Sequence, residues 1–403
     1  MLHTNQLINE GRLEEAKASV LQLIKDPNSA ISERLRALAD LGDINRYQGN
    51  YKQSIVCFND ALILVDSIRK SPTLDHSNIF INIAKSELLL GNDGKAEALC
   101  NKASAILEDI KTNAALMNSS WRLVDTALIE CKAQILRFRG QYHDALQCMK
   151  NAVRMTMFFQ QRDVIQISCL LNNLGMIHKY MGRYRKAESC YSLALKLLSS
   201  SDGQNAPHIH NVYYNFGGLA HATDNPKASY RFAKKSLCLR NQVLGESHPD
   251  FAISLSLIAA SLIQMKRFAI AEKLIRRSRD ILFTQFGSIH RDIAMNLNHL
   301  GVINQSVGKI KLAITNFESA ISMKKQCLGP HHPDLIAPAL NLLFCYSLEQ
   351  NDVLAKELSK FLVEYLKCNK AIIVKRNEYI IARISKCLGA GSQEFYELNE
   401  LIR

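Results

Sequence analysis

The sequence predicts an all-α fold, a right-handed α-α superhelix of about nine helical hairpins with a C-terminal capping unit. Three observations lead to this prediction. A small residue recurs at an interval that is 42 residues in most units, a glycine usually precedes it by five positions, and amphipathic segments flank that glycine. Only 18 Gly and 8 Pro occur in 403 residues, which disfavours a loop-rich β-sandwich.

Two sequence columns define the nine units. A small residue lets two helix backbones approach closely, and glycine suits the left-handed residue that ends a helix and lets the chain reverse. The small column consists of Ala16, Ser54, Ala96, Ala145, Ala187, Ser229, Ala271, Ala313 and Ala355. The turn column holds Gly11, Gly49, Gly91, Gly140, Gly182 and Gly308, with Asp224, Lys266 and Gln350 in the other units. Each unit is expected to be an antiparallel hairpin whose apolar stripe is buried by its neighbours.

Irregular spacing suggests four segments. Residues 1–110 hold units 1–3, and residues 127–365 hold units 4–9. Between them, residues 111–126 form an extended joint around Trp121, where one interval grows to 49 residues. This joint is interpreted either as lengthened helices or as a kink between two blocks. Residues 366–403 are predicted to form degenerate capping helices, as expected at the end of a repeat array.

The column pattern resembles the tetratricopeptide repeat (TPR) family. The fifth unit matches best, through Leu174, Gly175, Gly182, Tyr184, Ala187, Tyr191 and Ala194. The family's usual period is ~34 residues. Here the longer period and the recurring segments LGESHPD (244–250), FGSIHRD (286–292) and LGPHHPD (328–334) resemble the kinesin light chain type. The resemblance implies a protein-protein interaction adaptor or scaffold.

The recurring linker has a structural explanation. Pro249 and Pro333 suit the first turn of a helix, where a missing N–H costs nothing. Asp250, Asp292 and Asp334 place negative charge near that helix start. His248, His290 and His332 are expected to cap the helix or pack on the preceding unit. A metal site at His331, His332 and Asp334 is the disfavoured alternative, because the element simply repeats with the structure.

The resemblance also implies a binding groove lined by the first helix of each unit. The groove column consists of Asp40, Asn82, Cys131, Asn173, Asn215, Leu257, His299 and Asn341. The predicted partner-binding residues are Asn82, Asn172, Asn173, Lys179, Asn215, His299 and Asn341. A side-chain amide donates and accepts hydrogen bonds at once, so it can hold an extended peptide backbone. The alternative left open is a ladder of asparagines between neighbouring helices.

Charge is unevenly distributed along the chain. The net charge is +13, yet residues 1–110 carry −3 and the remainder +16. Residues 226–291 contain 12 Lys/Arg and 4 Asp/Glu. The predicted basic convex face consists of Lys234, Lys235, Arg240, Lys273, Arg276, Arg277 and Arg279. Such a face is either a solvated surface or a binding site for an acidic or phosphate-bearing partner.

Motifs for catalysis or ligand chemistry are not found. The sequence contains no phosphate-binding glycine loop, Gly-x-Ser-x-Gly, His-Glu-x-x-His or Cys-x-x-Cys. We therefore expect no enzymatic activity, catalytic residues, metal, cofactor or small-molecule substrate. No signal peptide or membrane span is recognised, so a cytoplasmic location with reduced cysteines is expected.

Three functions follow, of which the leading one is an adaptor that binds a partner's peptide or helix. The second is a peptide-gated regulator of an enzyme or transcription factor, as in bacterial receptors with such repeats. The third and weakest is binding of an acidic or nucleic-acid partner through the basic convex face.

Overall fold

The computed structural model describes Leu7 and residues 12–69, 71–112, 119–157, 164–202 and 208–368, which form helices and no strand. Seventeen α-helices lie in these ranges. They are α1 Leu13–Lys25, α2 Ile31–Tyr47, α3 Tyr51–Ile68, α4 Leu74–Leu89, α5 Asp93–Thr112, α6 Ser119–Phe138, α7 Tyr142–Met157, α8 Val164–Tyr180, α9 Tyr184–Asp202, α10 Ile209–Ala222, α11 Pro226–Leu244, α12 Pro249–Gln264, α13 Phe268–Phe286, α14 Arg291–Ser306, α15 Ile310–Leu328, α16 Ile336–Leu348 and α17 Asp352–Cys368. A 3₁₀ turn, Pro333–Leu335, precedes α16. The predicted all-α fold of paired helices is confirmed.

The turn column ends the first helix in the predicted way at its eight described positions, and Gly11 lies outside the described residues. Gly49, Gly91, Gly140, Gly182 and Gly308 have φ between 69° and 85°. The backbone N–H of the next residue bonds back to the last turn of the helix, as from Asn50 to Asn45 at 2.8 Å. Asp224, Lys266 and Gln350 adopt φ of 55–60° at the same position, so the turn geometry is kept where glycine is absent.

The small column is buried at every position. Eight of its nine members are fully buried and Ala355 is 4% exposed. Where the residue is serine, its hydroxyl bonds to a serine on the next first helix. Ser54 lies 3.0 Å from Ser86, and Ser261 donates to Ser229 at 2.7 Å. The polar members are therefore satisfied inside the core.

Glycine on a first helix faces an aromatic ring on its partner helix in three hairpins. A Cβ built at Gly175 would lie 2.4 Å from Tyr191 Cε1, and one at Gly301 would lie 2.5 Å from Phe317 Cε1. Gly42 faces Phe58 in the same way. All three rings are fully buried, so they cannot turn aside to admit a methyl group.

Two compact units account for the packing of the chain. One consists of Met1–His178, Arg185–Leu219 and Phe232–Phe251, and the other of Lys179–Tyr184, Ala220–Arg231 and Ala252–Arg403. Residues 113–118, part of the predicted joint, lie outside the described residues. On either side, α5 and α6 each contain 20 residues, and Trp121 Nε1 donates to Leu107 O at 3.2 Å. Much of the extra length is thus lengthened helix. The predicted capping helices beyond Cys368 also lie outside the described residues, and the four-segment division stays a prediction.

The recurring histidines cap the helices that follow them. Nδ1 of His248, His290 and His332 accepts the backbone N–H two residues later, at 2.9, 3.3 and 3.1 Å. Pro249 and Pro333 begin their helical segments. The capping role expected for these histidines is confirmed.

Replacing Gly175 with alanine should destabilise the protein. Alanine favours a helix over glycine by up to ~1 kcal/mol, but overpacking against Tyr191 costs ~1–3 kcal/mol, so the net effect is a loss. Gly94→Ala is the control, because Gly94 is helical and a Cβ there meets nothing within 4 Å. Urea unfolding should show lower stability for Gly175→Ala alone. Equal stability of the two variants would contradict the packing argument.

Candidate functional site

Hydrogen bonds link the first helices of successive hairpins. They join residues 43 positions apart, as between Glu130 and Asn173, Asn172 and Asn215, and Asn298 and Asn341. The 42-residue period sets this spacing, because each helix lies beside its counterpart with a stagger of one residue. The predicted groove column therefore lies next to a ladder of polar side chains.

The groove asparagines divide into buried and half-buried members. Asn215 is 3% exposed, and its Nδ2 donates to Asn172 Oδ1 at 2.8 Å. Its amide therefore belongs to an asparagine ladder between neighbouring helices, the alternative to peptide binding that the sequence left open. Asn82 is half-buried, and its Oδ1 accepts from Arg46 Nη1 at 3.2 Å. Asn173 is also half-buried, and its Nδ2 donates to Glu130 Oε1 at 2.9 Å.

The remaining predicted groove residues belong to the second of the two compact units. Asn341 Nδ2 lies 3.5 Å from Asn298 Oδ1, and Lys179 Nζ lies 4.9 Å from the centre of the Tyr180 ring. His299 Nδ1 lies 3.4 Å from Ser256 Oγ. Burial, reinforced by the charges of His221 and Lys324, lowers the pKa of His299 to about 3. His299 is therefore neutral at pH 7.

A cavity of about 190 Å³ opens beside Asn173 within the first of the two compact units. Its lining comes from α6, α8, α9, α10 and the residue before α10. Most of its lining residues have polar side chains, although Leu198 and Val212 add apolar surface. The lining residues are Glu130, Ser168, Cys169, Asn172, Asn173, Leu198, His208, Asn211 and Val212.

Most of the cavity was missed by the sequence analysis. Asn172 and Asn173 were predicted, whereas Glu130 and His208 were not. Glu130 directly precedes Cys131 of the groove column, and this adjacency is the signal that could have pointed to it. His208 belongs to no repeated motif. Its φ of 70° is unusual for a residue with a side chain.

One contact in the first compact unit joins residues that are far apart in the sequence. His248 Nε2 donates to the backbone oxygen of Tyr47 at 3.0 Å, because Nδ1 of the same ring is already the helix-capping acceptor. A Cβ at Gly49 would lie 2.9 Å from Pro249 Cδ. The Tyr47 ring packs on His208, with 5.6 Å between ring centres. The end of α2 thus reaches a residue that lines the cavity.

Arg240 does not belong to an exposed basic face, so that part of the prediction is wrong. The residue is 2% exposed. Its Nη1 donates to Asp250 O and its Nη2 to Asn211 Oδ1, both at 2.7 Å, and its guanidinium stacks over Tyr214 at 4.7 Å. The hairpin geometry turns this position inward, towards the start of α12.

The other predicted basic residues reach solvent to different degrees. Lys234, Lys235, Lys273, Arg276 and Arg277 are exposed and Arg279 is half-buried. Lys235 Nζ lies 4.2 Å from the centre of the Tyr213 ring. Arg276 pairs with Glu272 at 2.6 Å. Some of these positive side chains are therefore already engaged with an aromatic ring or a carboxylate of the protein itself.

The described part of the chain contains no group of His, Cys, Asp and Glu side chains that could hold a metal ion. None of its helices combines the length and apolarity that crossing a bilayer requires.

Substituting Arg240 with methionine should strongly destabilise the first compact unit, which contains this residue. Burial alone would raise the pKa of Asp250, but the Arg240 charge holds it below its ordinary value. The Asp250 carboxylate, 3.7 Å from Arg240 Nη2, is 30% exposed, but losing Arg240 also removes a hydrogen bond to each of Asp250 O and Asn211 Oδ1. Such losses cost ~1–3 kcal/mol each. Lys234→Met, on the same helix but exposed, should change stability by less than ~0.5 kcal/mol. Urea unfolding tests this contrast, which equal midpoints would refute.

Stability should fall as the pH is lowered from about 6.5, partly through His299. Its folded pKa of about 3 lies below the ordinary histidine value of 6.5, so the unfolded chain binds more protons between these values. Each such group removes up to ~1.4 kcal/mol per pH unit in that window. Urea unfolding at several pH values should show a shallower decline for His299→Gln. An identical slope would contradict the burial of a neutral imidazole.

Comparisons with known proteins agree with this architecture. The tetratricopeptide repeat family profile matches residues 125–200 and 166–237. Protein KINESIN LIGHT CHAIN-RELATED 1 of Arabidopsis thaliana is 26% identical over 321 residues, which are 77% of this chain and 51% of the relative. The chain thus spans about half the length of this curated relative.

Two solved structures share the fold along most of the chain. The structure of NprR in complex with its cognate peptide NprX has a TM-score of 0.59 at 11% identity, and covers 89% of this chain and 96% of NprR. That of a Rap protein complexed with Competence and Sporulation Factor has a TM-score of 0.55 at 12% identity, with 92% and 99% covered. Together with the nine-unit pattern and its histidine-capped linkers, the comparisons support a tetratricopeptide repeat architecture that resembles the kinesin light chain type.

Proposed function

We propose that this chain is a non-enzymatic adaptor that binds an extended peptide segment of a partner protein along the groove column. The observation that carries the proposal is the cavity beside Asn173, which is lined by three asparagine amides. Asn173 Oδ1 accepts no hydrogen bond from any described residue, whereas its Nδ2 is held by Glu130. A fixed amide with a vacant acceptor suits a backbone N–H of an extended peptide.

The repeat class and the solved structures support a bound peptide. Hairpin arrays expose long surfaces that bind partner segments. NprR was solved with a peptide and the Rap protein with a factor, and both share this fold over about nine-tenths of the chain. A partner that is a protein or peptide, in the cytoplasm, is consistent with the TPR class.

A second candidate function is a peptide-gated regulator. The contact between Tyr47 and His248 favours it, because Tyr47 also packs on His208 at the cavity. A peptide in the cavity would then change the end of α2 as well as the groove. Hydrogen exchange at residues 47–50 should slow on peptide binding if this regulator function holds, and stay constant for a passive adaptor.

Selection of random displayed peptides on the full-length chain tests the adaptor function. Selected peptides should bind Asn173→Ala at least tenfold more weakly, because a buried peptide group left unpaired costs ~1–3 kcal/mol. Asn316→Ala is the matched control. Asn316 is a half-buried asparagine on α15 whose Nδ2 bonds only to Leu312 O among the described residues. Circular dichroism should show equal helicity in both variants.

A double variant, Arg276→Glu and Arg277→Glu, examines the competing basic surface. Groove-bound peptides should bind it with unchanged affinity. Peptides that bind Asn173→Ala with unchanged affinity but no longer bind the arginine double variant would show that the basic residues form the binding surface. Failure to select any peptide would refute the proposed groove function.

A further inference from the structure

The cavity contains a carboxylate without a counter-charge. Glu130 Oε1 accepts hydrogen bonds from Asn173 Nδ2 at 2.9 Å and Gln134 Nε2 at 3.2 Å. Its Oε2 has no hydrogen-bond partner among the described residues, and no described Lys, Arg or His forms an ion pair with Glu130. The two bonds on Oε1 fix the carboxylate in place, so Oε2 is held ready as an acceptor.

Two positive groups nearby, Arg46 and Lys132, are engaged with other partners. Arg46 forms an ion pair with Asp43 and donates to Asn82. Lys132, two residues after Glu130, donates to Ser104 Oγ at 3.1 Å. The cavity lining contains neither lysine nor arginine, and its single imidazole, His208, packs on Tyr47. Glu130 therefore forms no ion pair with any of these side chains.

The groove helix α2 carries a further carboxylate, Asp40, in the same compact unit. Asp40 lies in the groove column, and burial together with the Asp43 charge raises its pKa to about 6. Asp40 is still largely ionised at pH 7. An ionised carboxylate favours a cationic ligand over a neutral or anionic one.

The size and shape of the cavity limit what it can hold. Its volume of about 190 Å³ is below the ~300–1,000 Å³ of sites that bury a drug-sized ligand. It therefore suits a single side chain. Leu198 and Val212 supply an apolar wall for an aliphatic stem, and Glu130 supplies the acceptor for its charged end.

We infer that this cavity is a subsite for one arginine or lysine side chain of the bound partner peptide. The side chain's stem lies along Leu198 and Val212, and its cationic end donates to Glu130 Oε2. The peptide backbone beside it meets the amides of Asn172 and Asn173. This inference rests on the proposed peptide-binding function and assigns its charge specificity.

Binding of small blocked amino acids tests the subsite directly on the full-length chain. The probes are N-acetyl-arginine N-methylamide, its lysine equivalent and the uncharged norleucine equivalent, measured by ligand-observed NMR. The arginine or lysine probe should bind at least tenfold more tightly than norleucine. Glu130→Gln should remove this preference, because the amide keeps the shape and the bond to Asn173 but lacks the charge. Glu108→Gln, an exposed site on α5, should preserve it.

Agmatine separates a peptide side chain from a free amine, since it has the guanidinium group but no peptide groups. It should bind more weakly than blocked arginine, and equal binding would overturn the peptide assignment. Equal binding of norleucine, or an unchanged preference in Glu130→Gln, would overturn the subsite itself. If displayed peptides bind through Asn173 without selecting Lys or Arg, the subsite fails and the adaptor function stands. If the arginine probe alone binds, the subsite holds and the adaptor function fails.

Discussion

Close approach of the two helices within each hairpin is the constraint on which the structure depends. Gly175 and Gly301 leave room for a fully buried aromatic ring on the partner helix. The small column continues this close packing from one hairpin to the next. With these distances fixed, each first helix lies beside the next at a constant stagger. Polar side chains 43 residues apart then meet, and the cavity beside Asn173 lies among them.

Asparagines on the first helices of the hairpins have two structural roles, and their degree of burial distinguishes the two. Asn215 is enclosed, so its amide must bond within the protein and it does so with Asn172. Asn173 is only half-buried and anchors one end of its amide on Glu130. The same residue type thus stabilises the array at one step and leaves an acceptor open at the next. A position in the column is therefore not sufficient evidence for ligand contact.

The fold was predictable because its determinants are local and repeat. The turn glycines, the buried small residues and the capping histidines all occupy the conformations that their columns indicate. The inward position of Arg240 was not predictable, since it depends on Asp250, Asn211 and Tyr214 from neighbouring helices. Glu130 and His208 were missed for the same reason. A cavity arises from helices that meet in space, and a column pattern in one sequence does not record which side chains remain unpaired.

The contact between Tyr47 and His248 has a consequence for how the first unit folds. Most hairpin arrays behave as one-dimensional chains in which each repeat senses only its neighbours, so ends can fray independently. A hydrogen bond between residues 201 positions apart adds a non-local link that forms only after a long loop closes. Such links slow folding and couple distant hairpins in one transition. The first unit is therefore expected to unfold as a single cooperative body, whereas an array without this link would lose its hairpins one by one.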